Sequence, residues 1–294
     1  MRILLIFNPA AGRCTRSDRA GPVTDAFEAG GWDVTLRHTP GPGGAAKLAR
    51  QGAEEGCEAV FACGGDGTLS EVVAGLLGTD VPAGIVPTGT GNDFARTIGL
   101  PLDPIAAVHR CLAGGPAEID LLEIDGERGP AVNIAGVGFD ARVARRVNSR
   151  SRITGGLAAY LTSVGVELAR NRPTEIAMTV DGARWRGSAL LVAVANARSY
   201  GAGMMIAPQA EIDDGKLDVV LVEHMSRSRF VTSFPKVMRG THLRHPAVRA
   251  WQGREVTIST DLPTPVLIDG DVRGETPLRV RIAPRRAMVW MPGR

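Results

Sequence analysis

The chain has 294 residues and a mass of 30.9 kDa, room for one large domain or two ordinary ones with a sizeable core. A hydrophobic share of 44% and a mean hydropathy of +0.02 exclude a disordered chain. The charge balance of 34 basic to 31 acidic residues leaves +3, and aromatics are only 4%, which excludes a nucleic-acid module built on base stacking.

Residues 2–7 form a short apolar run that ends in Asn8-Pro9, too short for a signal peptide. A helical stretch is expected near 22–29, a strand over 32–38, a helix over 45–55 and a strand over 59–63 that ends in Gly64-Gly65. Helical spacing over 69–77, a strand over 83–86, and a turn leading to a helix near 93–98 complete this half. Such alternation predicts a parallel sheet covered by helices. Beyond about Ile119 strand patterns dominate: 131–135, 175–180, 189–195, 217–222, 255–259, 266–269 and 278–282. Turn pairs such as Asp181-Gly182 and Asp214-Gly215 separate them. Only 153–168 and 227–238 look helical.

The expected architecture is therefore an α/β N-terminal domain over 1–122 and a β-rich sandwich or flattened barrel over 123–294, with the boundary near 120–126. No apolar stretch approaches the roughly 18 residues of a spanning helix, so any membrane contact is expected to be peripheral. Cys14, Cys57, Cys63 and Cys111 form no CxxC pair and fit neither a zinc site nor a disulfide framework, which suggests a reduced, cytoplasmic protein. Only Lys47, Lys216 and Lys236 are lysines; the other basic residues are arginines. That bias fits the codon usage of a GC-rich genome, or an arginine surface that meets anionic lipid or phosphate.

Three loops in the first half share one pattern: an apolar strand, then glycine, then a helix. They are Asn8-Pro9-Ala10-Ala11-Gly12, Gly64-Gly65-Asp66-Gly67-Thr68, and Thr88-Gly89-Thr90-Gly91-Asn92-Asp93. In a parallel sheet such loops gather at the carboxyl ends of the strands, where glycine lets the main chain approach a ligand and helix starts favour phosphate. No GxxxxGK[ST] is present, and Phe94 stands where a dinucleotide fingerprint needs its third glycine. Asp66 and Asp93, which alone would read as helix caps, would repel phosphate unless a metal or a proton intervened. Inside the glycine loops they point to Mg²⁺-bridged phosphates or a proton acceptor. His38, His109, His224, His242 and His245 lack metal spacing, and His242 and His245 read as surface residues in an arginine-rich stretch.

Gly64-Gly65-Asp66-Gly67-Thr68-Leu69 resembles the signature of the diacylglycerol kinase catalytic family, which includes sphingosine and ceramide kinases and shares this core with NAD kinases and phosphofructokinase. The loop from Thr90 through Asn92, Asp93 and Phe94 to Ala95 is similar to the lipid-kinase form. Asn8-Pro9 with Gly12, Tyr200-Gly201-Ala202-Gly203-Met204, Asp213-Asp214-Gly215-Lys216-Leu217 and Ile268-Asp269-Gly270-Asp271 follow in the family's order. The resemblance implies an ATP- and Mg²⁺-dependent kinase acting on a lipid hydroxyl, with diacylglycerol the default acceptor. It implies ATP contacts at Asn8, Pro9, Ala10, Ala11, Gly12, Thr39, Gly64, Gly65, Asp66, Gly67, Thr68, Leu69, Ser70, Thr90, Asn92 and Asp93. It further implies Mg²⁺ held by the Asp214 carboxylate and the carbonyls of Glu211 and Lys216, which also read as a plain turn. Asp271 stands where the family usually has glutamate and would take the proton of the hydroxyl, with Asp66 assisting through water and Mg²⁺.

The implied partner is a membrane lipid, reached peripherally at the inner face of the cell membrane; no nucleic acid is expected, and a homodimer is suggested by the family alone. Arg142, Arg145, Arg146, Arg150 and Arg152, with the moderately apolar segment 155–168, are the expected membrane-facing region, or else a solvated helix face. A small-molecule kinase such as an NAD kinase, and a non-catalytic lipid or nucleotide sensor, are the competing functions.

Overall fold

The computed structural model describes residues 1–12, 20–127, 129–150, 157–170 and 173–293, with 147–150 and 157–161 as main chain only. The chain divides into two compact units, Met1–Leu121 with Pro284–Arg294, and Leu122–Ala283.

The first unit runs β1 (Arg2–Phe7), α1 (Ala20–Ala29), β2 (Asp33–His38), α2 (Gly44–Glu54), β3 (Ala59–Gly64), α3 (Asp66–Leu76), β4 (Ala83–Pro87), α4 (Asp93–Thr97), α5 (Pro104–Leu112) and β5 (Gly115–Ile119). Its strands β2, β1, β3 and β4 lie side by side and parallel in that order. Both faces of β3 are covered, which is why residues 59–64 are buried without alternation. The chain leaves β1 toward β2 on one side and β3 toward β4 on the other. The crevice at this reversal of order, outside the carboxyl ends of β1 and β3, is where such sheets bind ligands.

The second unit contains β6 (Leu122–Ile124), β7 (Ile134–Gly138), α6 (Phe139–Arg150), α7 (Leu157–Arg170), β8 (Thr174–Val180), β9 (Ala183–Ala195), β10 (Leu217–Glu223), α8 (Arg227–Met238), β11 (Val248–Gly253), β12 (Glu255–Thr260), β13 (Pro265–Ile268), β14 (Asp271–Glu275) and β15 (Leu278–Ile282). The long β9 organises it. Residues 183–189 of β9 pair with β8, and its second half lies between β7 and β10. Val192 and Val194 enter one core with Val219 and Leu221, while Leu191, Ala193 and Ala195 enter a second with Tyr200, Met204 and Val222. Burial on both faces explains the unbroken apolar run 189–195. The second core is the one that positions a ligand cavity.

The last strand, β16 (Ala287–Met291), returns to the first unit, antiparallel to β5 and parallel to β4. The expected domain 123–294 therefore gives up Pro284–Arg294 to the first unit. The cause is a set of contacts between residues far apart in sequence. Trp290 packs edge-on against Trp32 at 5.4 Å between ring centres, and its indole N–H donates to the Cys111 carbonyl at 2.8 Å. Arg286 donates to the buried Asp120 carboxylate at 2.9 Å.

Other differences are specific. The strand expected at 131–135 begins three residues later, and Ala131 makes only an isolated bridge to Leu122. Helices α5 and α6 were not foreseen. The helix expected over 153–168 is α7, and its expected start falls on 151–156, outside the described residues.

Candidate functional site

The three glycine loops of the first unit are knit into one cradle. Asn8 closes the first: its side-chain amide donates to Thr68 Oγ1 at 2.9 Å and its Oδ1 accepts the Ala10 N–H at 3.0 Å. Thr39 joins them, its hydroxyl 3.4 Å from Asn8 Oδ1, though no motif surrounds it in the sequence. The second and third loops meet main chain to main chain, because Gly64 O accepts the N–H groups of Thr88 at 2.9 Å and Gly89 at 3.1 Å. A Cβ on Gly89 would strike Gly65 Cα, and one on Gly12, which has φ +76°, would strike the Thr88 carbonyl. These glycines are needed for close approach.

Asp66 fixes the third loop. Its two carboxylate oxygens accept the N–H groups of Asp93 at 3.0 Å and Phe94 at 2.8 Å, so it caps the start of α4 from the first turn of α3. Burial pushes its carboxyl above the usual range, with the nearby Asp93 charge adding and the two N–H groups opposing. Asn92 adopts a left-handed conformation at φ 53° and clasps the Gly89 peptide, accepting its N–H at 3.0 Å and donating to its carbonyl at 2.9 Å. Glu71, one turn further along α3, plays the corresponding part for α2, accepting the N–H groups of Gly43 at 2.8 Å and Ala45 at 3.0 Å.

The sequence-predicted residues of this unit separate by exposure. Pro9, Ala10, Gly12, Gly67 and Thr90 are exposed, while Ala11 is half-buried. Thr68 and Ser70 are buried, and Leu69 lies wholly in the core, so only its main chain can face a ligand. The first turn of α3 has no capping side chain of its own, which leaves N–H groups at its start for an anion.

In the second unit, β13 and β14 are joined by Asp269 and Gly270, with φ 45° and 91°. The two aspartates of Asp269-Gly270-Asp271 have opposite environments. Asp269 is buried, and its carboxylate accepts the N–H groups of Val132 at 2.8 Å, Asn133 at 2.9 Å and Ile134 at 3.0 Å. It ties this hairpin to the entry of β7. Asp271 is exposed, with the Arg273 guanidinium 3.5 Å from its Oδ2. The turn before β10 holds the other acidic group. Asp214 accepts the Lys216 N–H at 3.0 Å and has the Lys216 ammonium 3.7 Å from Oδ2. Beside them Asp218 is buried with one oxygen unpartnered among the described residues; burial first, then the Asp214 and Glu211 charges, raises its carboxyl above the usual range. Among the described residues no set of three acidic, histidine or cysteine side chains is grouped to hold a metal.

An apolar cavity of about 70 Å³ lies within the second unit, between β9, β10, α6, α7 and α8. Leu191, Met204, Val222, Phe230, Phe234 and Val237 are among its walls. Two polar groups on those walls were not anticipated. Asp140 Oδ1 accepts the Ala141 N–H at 2.8 Å, whereas Oδ2 is buried with no hydrogen-bond partner among the described residues, and burial raises the carboxyl to about 6. Gly136 has no Cβ because one would strike that carboxylate. The sequence did carry a signal here: Gly136-Val137-Gly138-Phe139-Asp140 has the same strand, glycine and helix-start order as the three loops above. His242 corrects a sequence reading, since it is 1% exposed and not a surface residue. Its Nε2 lies 3.0 Å from the Ile206 carbonyl, Nδ1 has no hydrogen-bond partner among the described residues, and burial lowers its pKa.

Arg142, Arg145 and Arg146, three of the expected membrane-facing arginines, are each paired within the unit. Arg146 pairs with Glu167 at 2.8 Å, Arg142 with the same carboxylate at 3.8 Å, and Arg145 with Glu275 at 3.6 Å. The side chain of Arg150 and the whole of Arg152 fall outside the described residues.

Residues 2–124 match the diacylglycerol kinase catalytic domain, and residues 133–291 match the YegS C-terminal NAD kinase beta sandwich-like domain. The diacylglycerol kinase of Mycobacterium tuberculosis (strain H37Rv) is 35% identical over 244 residues, which cover 81% of this chain and 78% of that protein. The diacylglycerol kinase of Bacillus subtilis (strain 168) is 30% identical over 281 residues, covering 94% and 91%. A crystal structure of a diacylglycerol kinase from Bacillus anthracis (strain Sterne) has the same fold, with a TM-score of 0.77 at 24% identity over 96% of this chain and 93% of that one. The α/β unit, the β-rich unit and these matches define a lipid kinase. Within that class, the chain belongs to the diacylglycerol kinase catalytic family.

Proposed function

We propose that the protein transfers the γ-phosphoryl group of ATP to the free hydroxyl of diacylglycerol, giving phosphatidic acid. The observation that carries this reading is the cradle of three hydrogen-bonded loops at the switch point of the parallel sheet. Glycine keeps side chains away from its floor, and the open start of α3 offers N–H groups to phosphate oxygens. Asn8, Pro9, Ala10, Ala11, Gly12, Thr39, Gly64, Gly65, Gly67, Thr68, Leu69, Ser70, Thr90, Asn92 and Asp93 would contact the nucleotide there. Asp66 acts chiefly by holding the third loop in register with the second.

Asp271 takes the proton of the lipid hydroxyl as the new O–P bond forms and the bond from the γ-phosphorus to the ADP oxygen breaks, and Arg273 at 3.5 Å orients its carboxylate. The side chain is one methylene shorter than glutamate, and its exposure leaves room for a bridging water. The acyl chains enter the apolar cavity of the second unit. Its walls are largely apolar, with Asp140 and His242 among the few polar side chains that line it.

Magnesium would be held at the turn before β10, by Asp214 and the carbonyls of Glu211 and Lys216. The residues fit it: the donors are hard oxygens, and Glu211, Asp214 and Asp218 outnumber the one ammonium beside them, that of Lys216. When bound there, magnesium would supply positive charge against these carboxylates. Incubation of the full chain with γ-labelled ATP, magnesium and a panel of diacylglycerol, phosphatidylglycerol, ceramide and NAD tests the reading. Label in phosphatidic acid is expected; label on NAD alone would overturn it.

A further inference from the structure

Among the described residues no helix is long and apolar enough to cross a membrane, so a lipid acceptor must be met at a bilayer surface. The arginines of α6 are already engaged, because Arg142 and Arg146 share Glu167 and Arg145 lies 3.6 Å from Glu275. The region of α8 differs. Residues 224–254 contain no aspartate or glutamate, and Arg227, Arg229 and Lys236 lie on α8, with Arg239 at its end. No ion pair or side-chain hydrogen bond joins any of these four to another described residue.

Helix spacing assigns the remaining faces of α8. Phe230, Phe234 and Val237, at i, i+4 and i+7, face the apolar cavity. Val231 and Met238, themselves seven residues apart, are 57% and 46% exposed beside that face. The apolar arc thus continues from the cavity wall onto the surface, with Arg227 at its start and Arg229, Lys236 and Arg239 on the side of the helix away from the cavity. This is the pattern of a helix that lies in a bilayer interface, with aliphatic groups among the acyl chains and basic groups at the phosphates.

We propose that α8 is the element that docks this protein on an anionic bilayer, with Val231 and Met238 entering the headgroup layer and Arg227, Arg229, Lys236 and Arg239 meeting lipid phosphates. The proposal rests on the reading that the cavity takes acyl chains. It adds that the helix walling the cavity on one face is seated in the membrane by the other, so that a chain passes from bilayer to cavity along α8.

Flotation of the full-length protein with vesicles of phosphatidylcholine, alone or with phosphatidylglycerol, tests this. Wild type should bind the mixed vesicles at least tenfold more tightly than the neutral ones. The triple variant Arg229→Gln, Lys236→Gln, Arg239→Gln should lose at least tenfold on mixed vesicles, since each basic side chain contributes about fivefold at such a surface. Val231→Glu with Met238→Glu should lower phosphorylation of diacylglycerol in vesicles at least fivefold, yet leave that of a water-soluble short-chain diacylglycerol within twofold. Melting midpoints of both variants should match wild type, because the altered side chains are exposed.

Binding of the triple variant within twofold of wild type would overturn the proposal, as would equal wild-type binding to neutral vesicles. Displacement by inorganic phosphate beyond that by chloride at equal ionic strength would also overturn it, in favour of a phosphate site. If wild type phosphorylates no diacylglycerol in any form, the lipid-acceptor reading fails, and vesicle binding still decides the role of α8.

Discussion

At neutral pH an Asp140→Asn protein should be more stable than wild type. Burial raises the Asp140 carboxyl from an ordinary 3.8 to about 6, opposed mainly by the Ala141 N–H at 2.8 Å. A carboxyl raised in this way binds its proton more tightly in the folded chain than in the unfolded one. Its contribution to stability is therefore present below about pH 3.8 and is lost as the pH rises through about 6. A rise of about two units corresponds to roughly 3 kcal/mol at about 1.4 kcal/mol per unit. Asparagine can keep the oxygen that accepts from Ala141, and its amide nitrogen would be as unpartnered as Oδ2 is now, so little else changes. Equilibrium urea unfolding of both proteins from pH 4 to pH 8 checks this. The gap should be near zero at pH 4 and grow to about 3 kcal/mol in favour of the variant above pH 7. A gap that does not vary with pH, or that favours wild type at pH 8, would refute the picture of a carboxylate whose burial outweighs the Ala141 N–H and the Arg142 charge. The same variant should raise KM for the lipid acceptor with little change in KM for ATP, a stability gain at the expense of the site.

Asp66→Ala removes the acceptor of the Asp93 and Phe94 N–H groups and should lower the stability of the first unit by about 3 kcal/mol, with activity falling together with it; thermal melting and steady-state rates check this, and an unchanged midpoint would count against it. Asp271→Asn should reduce kcat at least about a hundredfold with ATP affinity retained, whereas Asp271→Glu, which restores the family's usual residue, should stay active; loss of ATP binding in Asp271→Asn would argue for a role other than proton acceptance. Gly89→Ala should weaken ATP binding by pushing the second and third loops apart, because the added Cβ meets Gly65 Cα; an unchanged KM for ATP would show that this contact can yield.

The nucleotide half was readable because its signals are local. Continuous apolar strands end in glycine loops, and β1, β3 and β4 follow that pattern closely. The loop residues could be named, but not their partners: nothing in the sequence says that Asp66 caps α4 and not its own helix. Helix α5 was missed although Asp103-Pro104 is a start signal, and Asp103 does cap it through the Ala106 N–H at 2.9 Å. Helix α6 was hidden because glycines precede it and its arginines read as a surface run, when two of them share one buried glutamate. The return of β16 depends on Trp290 meeting Trp32, a contact between distant residues that no local pattern encodes. The same holds for Asp269 and Asp271. Two aspartates either side of one glycine look alike in sequence, and only the fold buries one on three N–H groups and exposes the other.

The central claim is that a lipid hydroxyl, and not a soluble nucleotide, accepts the phosphoryl group. A competition assay tests it most directly: the full-length protein, γ-labelled ATP and magnesium, with diacylglycerol in anionic vesicles and NAD present together, and products separated by chromatography. The account predicts label in phosphatidic acid alone for wild type, and loss of that label in Asp271→Asn. Label in NADP, or labelled phosphatidic acid formed as fast by Asp271→Asn as by wild type, would contradict it.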